Sequence, residues 1–126
     1  MKNPEHLKYT ETHEWVASEA DGTLSVGITD HAQEVLGDMV FLELPQIGKR
    51  YAQGEACAVI ESVKAASDIN MPVAGAVVAV NEELAKSPEK INADAYAAWL
   101  FKIKPDDSGD VGGLMDAAAY AGHAAK

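Results

Sequence analysis

Lys64 lies in the segment ESVKAASD, residues 61–68, with Val63 before it and Ala65 and Ala66 after it. Apolar runs flank the segment: ACAVI on one side and MPVAGAVVAV on the other. A free lysine amine has a pKa near ~10.4, so at neutral pH it is a cation and a poor nucleophile. Activating it inside a lysine enzyme takes burial or a cationic neighbour. SVKAAS supplies no cation, and the tip of a hairpin supplies no burial. What the segment supplies is access, because two alanines leave the amine unshadowed and a strand on each side holds it in place. The chemistry that suits such a lysine is acylation by an external enzyme. The charge becomes a neutral amide carrying a long prosthetic group, and the later chemistry belongs to that group. The plainer reading of Lys64 is an exposed surface lysine.

The other chemistry-bearing residues form no catalytic set. HEWVA at 13–17 starts like a zinc-protease helix but has alanine where the second histidine is required. His6, His13, His31 and His123 show no ligand spacing among themselves. Ser62 and Lys64 are too close for the S-x-x-K arrangement of serine–lysine hydrolases. Neither G-x-G-x-x-G nor a P-loop is present. Cys57, the only cysteine, sits in an apolar run and reads as a core thiol. The carboxylates are scattered and read as solvated surface. The expectation is a protein that does not catalyse a reaction by itself.

Composition narrows the partners. The 126 residues include 48% hydrophobic and 24% charged residues, the balance of a folded soluble chain. Twenty acidic residues against ten basic ones leave a formal charge of -10. That argues against a clustered cationic surface for nucleic acid and disfavours anionic lipid. It suits a protein meeting others through charged patches. The apolar runs are too short to span a bilayer. MKNPEHLKYT resembles neither a secretory signal nor a transit peptide, so a cytoplasmic protein is expected.

Short strands must position the lysine. THEWVASEADGTLSVGI reads as a hairpin around ADG, with Leu24, Val26 and Ile28 on one face. TDHAQEVLGD reads as a short helix with Asp30 as N-cap, Gln33 completing a capping box and Gly37 as the stop. MVFLELP is the next strand. From Tyr51 to Asn81, two similar half-units flank Lys64, each with a glycine (Gly54, Gly75) beside an apolar run. This spacing indicates a small sandwich or barrel. NEELAKSPEKINADAY mixes helical turns with loop, Pro88 being a breaker, and AWLFKIKP is a last strand. Trp15 and Trp99 read as core. A C-terminal helix over about 111–122 is weakened by Gly112, Gly113 and Gly122.

ESVKAASD resembles the lipoyl-attachment segment of the glycine cleavage H-protein family. HEWV, VGITDHAQEVLGDMVFLELP, ESVKAASDINMPVAGAVVAVN and FKIK resemble that family's blocks in its order, from about Leu7 to Tyr120. The resemblance implies a mainly β fold: a lipoyl-domain-like β sandwich or flattened barrel (a hammerhead) with a few short helices. It implies one lipoyl-binding domain over 1–126, with a core of about 7–104. It implies lipoate bound covalently to Lys64 by a lipoate-attaching enzyme. It further implies a carrier serving glycine decarboxylase (P protein), the tetrahydrofolate-dependent aminomethyltransferase (T protein) and dihydrolipoamide dehydrogenase (L protein). The chain departs from the family pattern at Ala98, where glycine usually precedes the late tryptophan, and in its glycine-interrupted C-terminal segment.

Further roles follow from the resemblance. In lipoyl-bearing domains an acidic residue three positions before the lysine helps the attaching enzyme recognise its target, which here is Glu61. Asp68 either shares that role or simply ends the turn. An aminomethyl cargo is cationic and hydrolysable, so a groove with a carboxylate would pair its charge and exclude water. The surface beside THEWV is the expected groove, with Glu14 as the anionic partner and His13 nearby. His31 is either a surface histidine or a partner contact. Three alternatives remain beside the carrier: a relay that hands lipoyl groups to other complexes, a biotinyl-type carrier, and an unmodified interaction domain. Val63 and Ala65 stand where a biotinyl carrier typically has methionines.

Overall fold

Residues 3–125 are described in a computed structural model. Alternating apolar residues dictate the first strands, since side chains two apart share a face. β1 (Lys8–Tyr9), β2 (Glu14–Ser18) and β3 (Leu24–Ile28) run antiparallel in sequence order. Trp15 lies opposite Gly27, where a β-carbon would collide with the indole. Glycine at that position lets the ring lie across the neighbouring strand.

The remaining strands are β4 (Met39–Glu43), β5 (Arg50–Tyr51), β6 (Ala56–Ser62), β7 (Ala66–Asn70), β8 (Gly75–Val80) and β9 (Phe101–Pro105). They complete two antiparallel sheets, one in the order β1-β2-β3-β9-β8-β5 and the other β4-β6-β7. Val26, Val77, Phe101 and Ile103 from the larger sheet pack with Leu42, Ile60 and Ile69 from the smaller one. This is the expected lipoyl-domain-like sandwich. It places the β6–β7 hairpin in the small sheet, held from one side by β4.

Helices cover the ends. α1 (Asp30–Leu36) is capped by Thr29, whose hydroxyl accepts from the Ala32 amide at 3.2 Å. The expected N-cap, Asp30, is already helical. Thr29 is the last extended residue, and Asp30 accepts from the Gln33 side chain at 2.8 Å. α2 (Glu82–Lys86) and α3 (Lys90–Ala93) flank Pro88. The C-terminal helix α4 spans Ala117–Ala124 rather than about 111–122. Gly112 and Gly113 close a 3-10 turn over Ser108–Gly113, and Asp116 starts the α-helix by accepting from the Ala119 amide at 2.8 Å. The conformational freedom of paired glycines opposes a continuous helix there.

Burial does not stop near residue 104. Tyr120 is fully buried in a second cluster with Leu7, Tyr9 and Trp15. The Trp15 indole donates to the Ala95 carbonyl at 3.0 Å, whereas Trp99 is only half-buried at the edge of this cluster. Ala98 is buried without a left-handed backbone, so its departure from glycine is accommodated. Among the described residues no helix is long and apolar enough to cross a membrane.

Candidate functional site

The β6–β7 hairpin carries Lys64 at its tip. Glu61 and Ala66 form the last strand pair. Beyond them the Ser62 amide donates to the Ala65 carbonyl at 2.7 Å. The Ser62 hydroxyl accepts from the amides of Lys64, at 3.3 Å, and Ala65, at 3.1 Å. Neighbouring segments tie the tip from outside. Met39 pairs with Ser62, and the Val63 amide donates to the Asp38 carbonyl at 3.0 Å. The lysine's backbone is therefore fixed while its side chain is exposed.

Gly37 makes room for that side chain. A β-carbon there would lie 3.3 Å from Lys64 Cε and 3.9 Å from Nζ. Gly37 also ends α1 with φ 86° and ψ -160°, a conformation essentially restricted to glycine. One residue thus stops the helix and admits the lysine stem. The pattern marked Gly37 only as the stop. Among the described residues the one ion pair is Arg50 with Asp106, so no carboxylate holds the Lys64 amine.

Strand register places the acidic residues. Glu61 pairs with Ala66, and Val59 pairs with Asp68, so Glu61 and Asp68 are diagonal neighbours on one solvent-facing side of the sheet. Both are exposed and flank the approach to the hairpin.

Glu14 is no solvated strand residue. It is only 2% exposed, and its carboxylate accepts from the hydroxyls of Thr10 and Thr12 and, at 3.4 Å, from the Asn70 amide. Burial pushes its pKa up, while these hydrogen bonds oppose the rise. Thr10, Thr12 and Asn70 also line a cleft of about 430 Å³ with Gln53, Met71 and Leu114. Asn70 ends β7, four residues from Ala66 and roughly 13 Å along the strand at ~3.3 Å per residue.

His13 does not share that environment. The left-handed turn at His13 breaks the strand alternation, and its ring packs 4.6 Å from His31 and 5.6 Å from His123, centre to centre. Its Nδ1 is 2.7 Å from the Tyr120 hydroxyl. His13 has φ 71° and is the one non-glycine with a left-handed backbone among the described residues. Spacing offered no signal for this cluster, because its members come from the loop before β2, from α1 and from α4. Among the described residues no group of three or more His, Cys, Asp or Glu is arranged to hold an ion. Cys57 donates to the Ile69 carbonyl at 3.4 Å, and burial pushes its thiol up to about 12. It stays protonated and inert.

The site is a rigidly mounted lysine with an acidic approach and a carboxylate-backed cleft at the other end of its strand. A family model described as Glycine cleavage H-protein matches residues 7–126. The chain is 65% identical over 118 residues to the glycine cleavage system H protein of Azoarcus sp. (strain BH72), covering 94% of this chain and 93% of that protein. It is 64% identical over 120 residues to that of Nitrosomonas europaea, covering 95% and 93%. The crystal structure of a glycine cleavage system H protein from Mycobacterium marinum superposes with a TM-score of 0.87 at 40% identity, covering 98% of this chain and 99% of that one. Matched along nearly its whole length in sequence and in fold, the chain belongs to the glycine cleavage H-protein family, the lipoate-carrying shuttles of that system.

Proposed function

We propose that Lys64 is the residue that bears the lipoyl group, and that the chain is a non-catalytic cytoplasmic carrier. Its partners on this reading are the P, T and L proteins of glycine cleavage and a lipoate-attaching enzyme. One observation carries the assignment: Lys64 is an exposed lysine on a hydrogen-bonded hairpin tip, with Gly37 leaving space for its stem. An exposed amine of this kind can carry a long acyl chain into solvent, which fits the group.

The bound lipoyl group supplies a disulfide and dithiol that take up and give back a one-carbon aminomethyl unit. The protein's residues do the rest. Ser62 holds the tip so that the amine is presented in one place. Glu61 and Asp68 offer the attaching enzyme an acidic approach. The cleft, lined by Glu11 and backed by the buried Glu14 through its Thr10, Thr12 and Asn70 walls, receives the loaded arm between visits, excludes water and opposes the positive amine with carboxylates. His13 lies outside this cleft, and His31 belongs to the cluster that seats α4.

Intact mass of the protein from its native host is the test. A single lipoyl-amide increment on the peptide containing Lys64 is expected. A chain carrying no modification, or one modified elsewhere, refutes the assignment. Reconstitution with the three enzymes then separates a shuttle from a relay of lipoyl groups.

A further inference from the structure

Among the described residues six large apolar side chains are exposed, and four of them belong to the segments around Lys64. Val35 lies on α1, Val40 and Phe41 on β4, and Val63 beside the lysine itself. Their exposures run from 47% for Phe41 to 69% for Val63. Simple alternation along MVFLE would turn Phe41 inward with Met39. A register shift between Met39 and Phe41 instead leaves both Val40 and Phe41 outside, while Met39 and Leu42 remain buried. A bulge that re-aims a side chain is a device often found beside functional sites. Here it puts an aromatic ring directly across from Glu61.

We propose that Val35, Val40, Phe41 and Val63 form the seat of the lipoate-attaching enzyme, which meets them with an apolar centre and a basic rim. The proposal rests on Lys64 being the lipoylated residue. Charge complementarity sets the rim. Residues 30–44 and 55–70 contain seven acidic side chains, and Lys64 is their only lysine or arginine. An enzyme with Lys and Arg around its channel is steered to this face, and the apolar side chains then set its final position.

Reach selects this partner over the others. Enzymes that act on the dithiol meet the far end of a long arm and need not touch the hairpin. The attaching enzyme must bring the acyl carbon of a lipoyl-adenylate to Nζ itself. The amine first gives its extra proton to a base of that enzyme. The C–N amide bond then forms, the acyl–phosphate bond breaks, and AMP leaves with the second proton lost by the nitrogen. No electrons change hands. Because Nζ lies beside Gly37 and the next residue anchors Val63, the enzyme's mouth has to close over α1, β4 and the tip together.

The test is acylation of unmodified protein by the attaching enzyme with lipoate and ATP, followed by intact mass at limiting protein concentration. Phe41→Ser and Val63→Ser are each expected to slow acylation at least tenfold with near-normal melting. Val78→Ser, an exposed position on the larger sheet, is expected to leave the rate unchanged. Variants acylated to completion by long incubation should be reduced by dihydrolipoamide dehydrogenase at the wild-type rate. Wild-type acylation rates in both variants overturn the proposal, as does an equal loss in the dehydrogenase reaction. If Phe41→Ser fails to fold, Val63→Ser at the exposed tip decides alone. A wild-type chain that never gains the lipoyl mass refutes the assignment of Lys64 instead. Self-association of wild type that Phe41→Ser abolishes would give the face to a second copy of the chain and overturn the proposal.

Discussion

The Tyr120 hydroxyl lies 2.7 Å from His13 Nδ1, joining α4 to the loop before β2 across 107 positions of sequence. The same oxygen is 2.7 Å from the Thr29 hydroxyl that caps α1, and the Tyr120 ring stacks on Tyr9 at 4.7 Å. His123, one turn later, bonds the Glu11 carbonyl at 2.8 Å. An eight-residue alanine helix is marginal on its own in water. Tyr120 is what seats it.

This seat is expected to weaken in mild acid. Burial lowers the His13 pKa below its ordinary value of 6.5, and the charges of His31 and His123 lower it further. The folded state therefore binds fewer protons than the unfolded one between the two values. The docked helix keeps this contribution above about pH 6.5 and loses it as pH falls toward the lowered value. Amide exchange across α4, corrected for intrinsic rates, should rise between pH 7 and 5.5. His13→Gln should flatten the response, and no change in wild type would remove His13 from the role.

Within α4 protection should be uneven. Amides beyond Tyr120 belong to the last turn and are expected to exchange fast, whereas Tyr120 itself is protected. Tyr120→Phe keeps the stacking but strips both hydroxyl partnerships, at a cost of about 1–2 kcal/mol by denaturant unfolding. Strong protection out to Ala124 would contradict the frayed end.

Gly37→Ala asks a β-carbon to occupy space beside the Lys64 stem in a backbone region foreign to L-residues. A loss of about 1–3 kcal/mol is expected, with slower lipoylation because the lysine must move aside. Unchanged melting and unchanged acylation together would show that the glycine is dispensable.

Glu14→Ala removes the acceptor shared by Thr10, Thr12 and the Asn70 amide. The fold should lose about 1–3 kcal/mol from the unpaired donors. Loaded protein should release formaldehyde and ammonia faster than wild type, because the cargo's amine loses its counter-charge. Release at equal rates would separate Glu14 from the cleft's function.

Lys64→Arg preserves charge at an exposed tip, where substitutions usually change stability by less than about 0.5 kcal/mol. Melting should stay near wild type. Guanidinium remains protonated and forms no lipoyl amide, so the lipoyl mass increment should vanish. With it goes the change in formal charge from -10 to -11 that accompanies loss of one of ten basic charges. Glycine cleavage in a reconstituted system should fall to background. Turnover near the wild-type rate would sink the carrier reading.

The legible parts of this protein were local. Strand alternation at Leu24, Val26 and Ile28, the turn around Lys64 and the stop at Gly37 each depend on a few neighbouring residues, so their pattern survives in one dimension. The accessible lysine was readable for the same reason, since small neighbours and flanking strands are local facts. What tertiary structure alone decided involves residues far apart in the chain. Glu14 looks like any strand carboxylate until Thr10, Thr12 and Asn70 close around it. His13, His31 and His123 look unrelated until Tyr120 draws α4 onto the sheet. Phe41 points outward only because β4 slips one residue against β6, a choice made by pairing between strands rather than by either strand's own alternation.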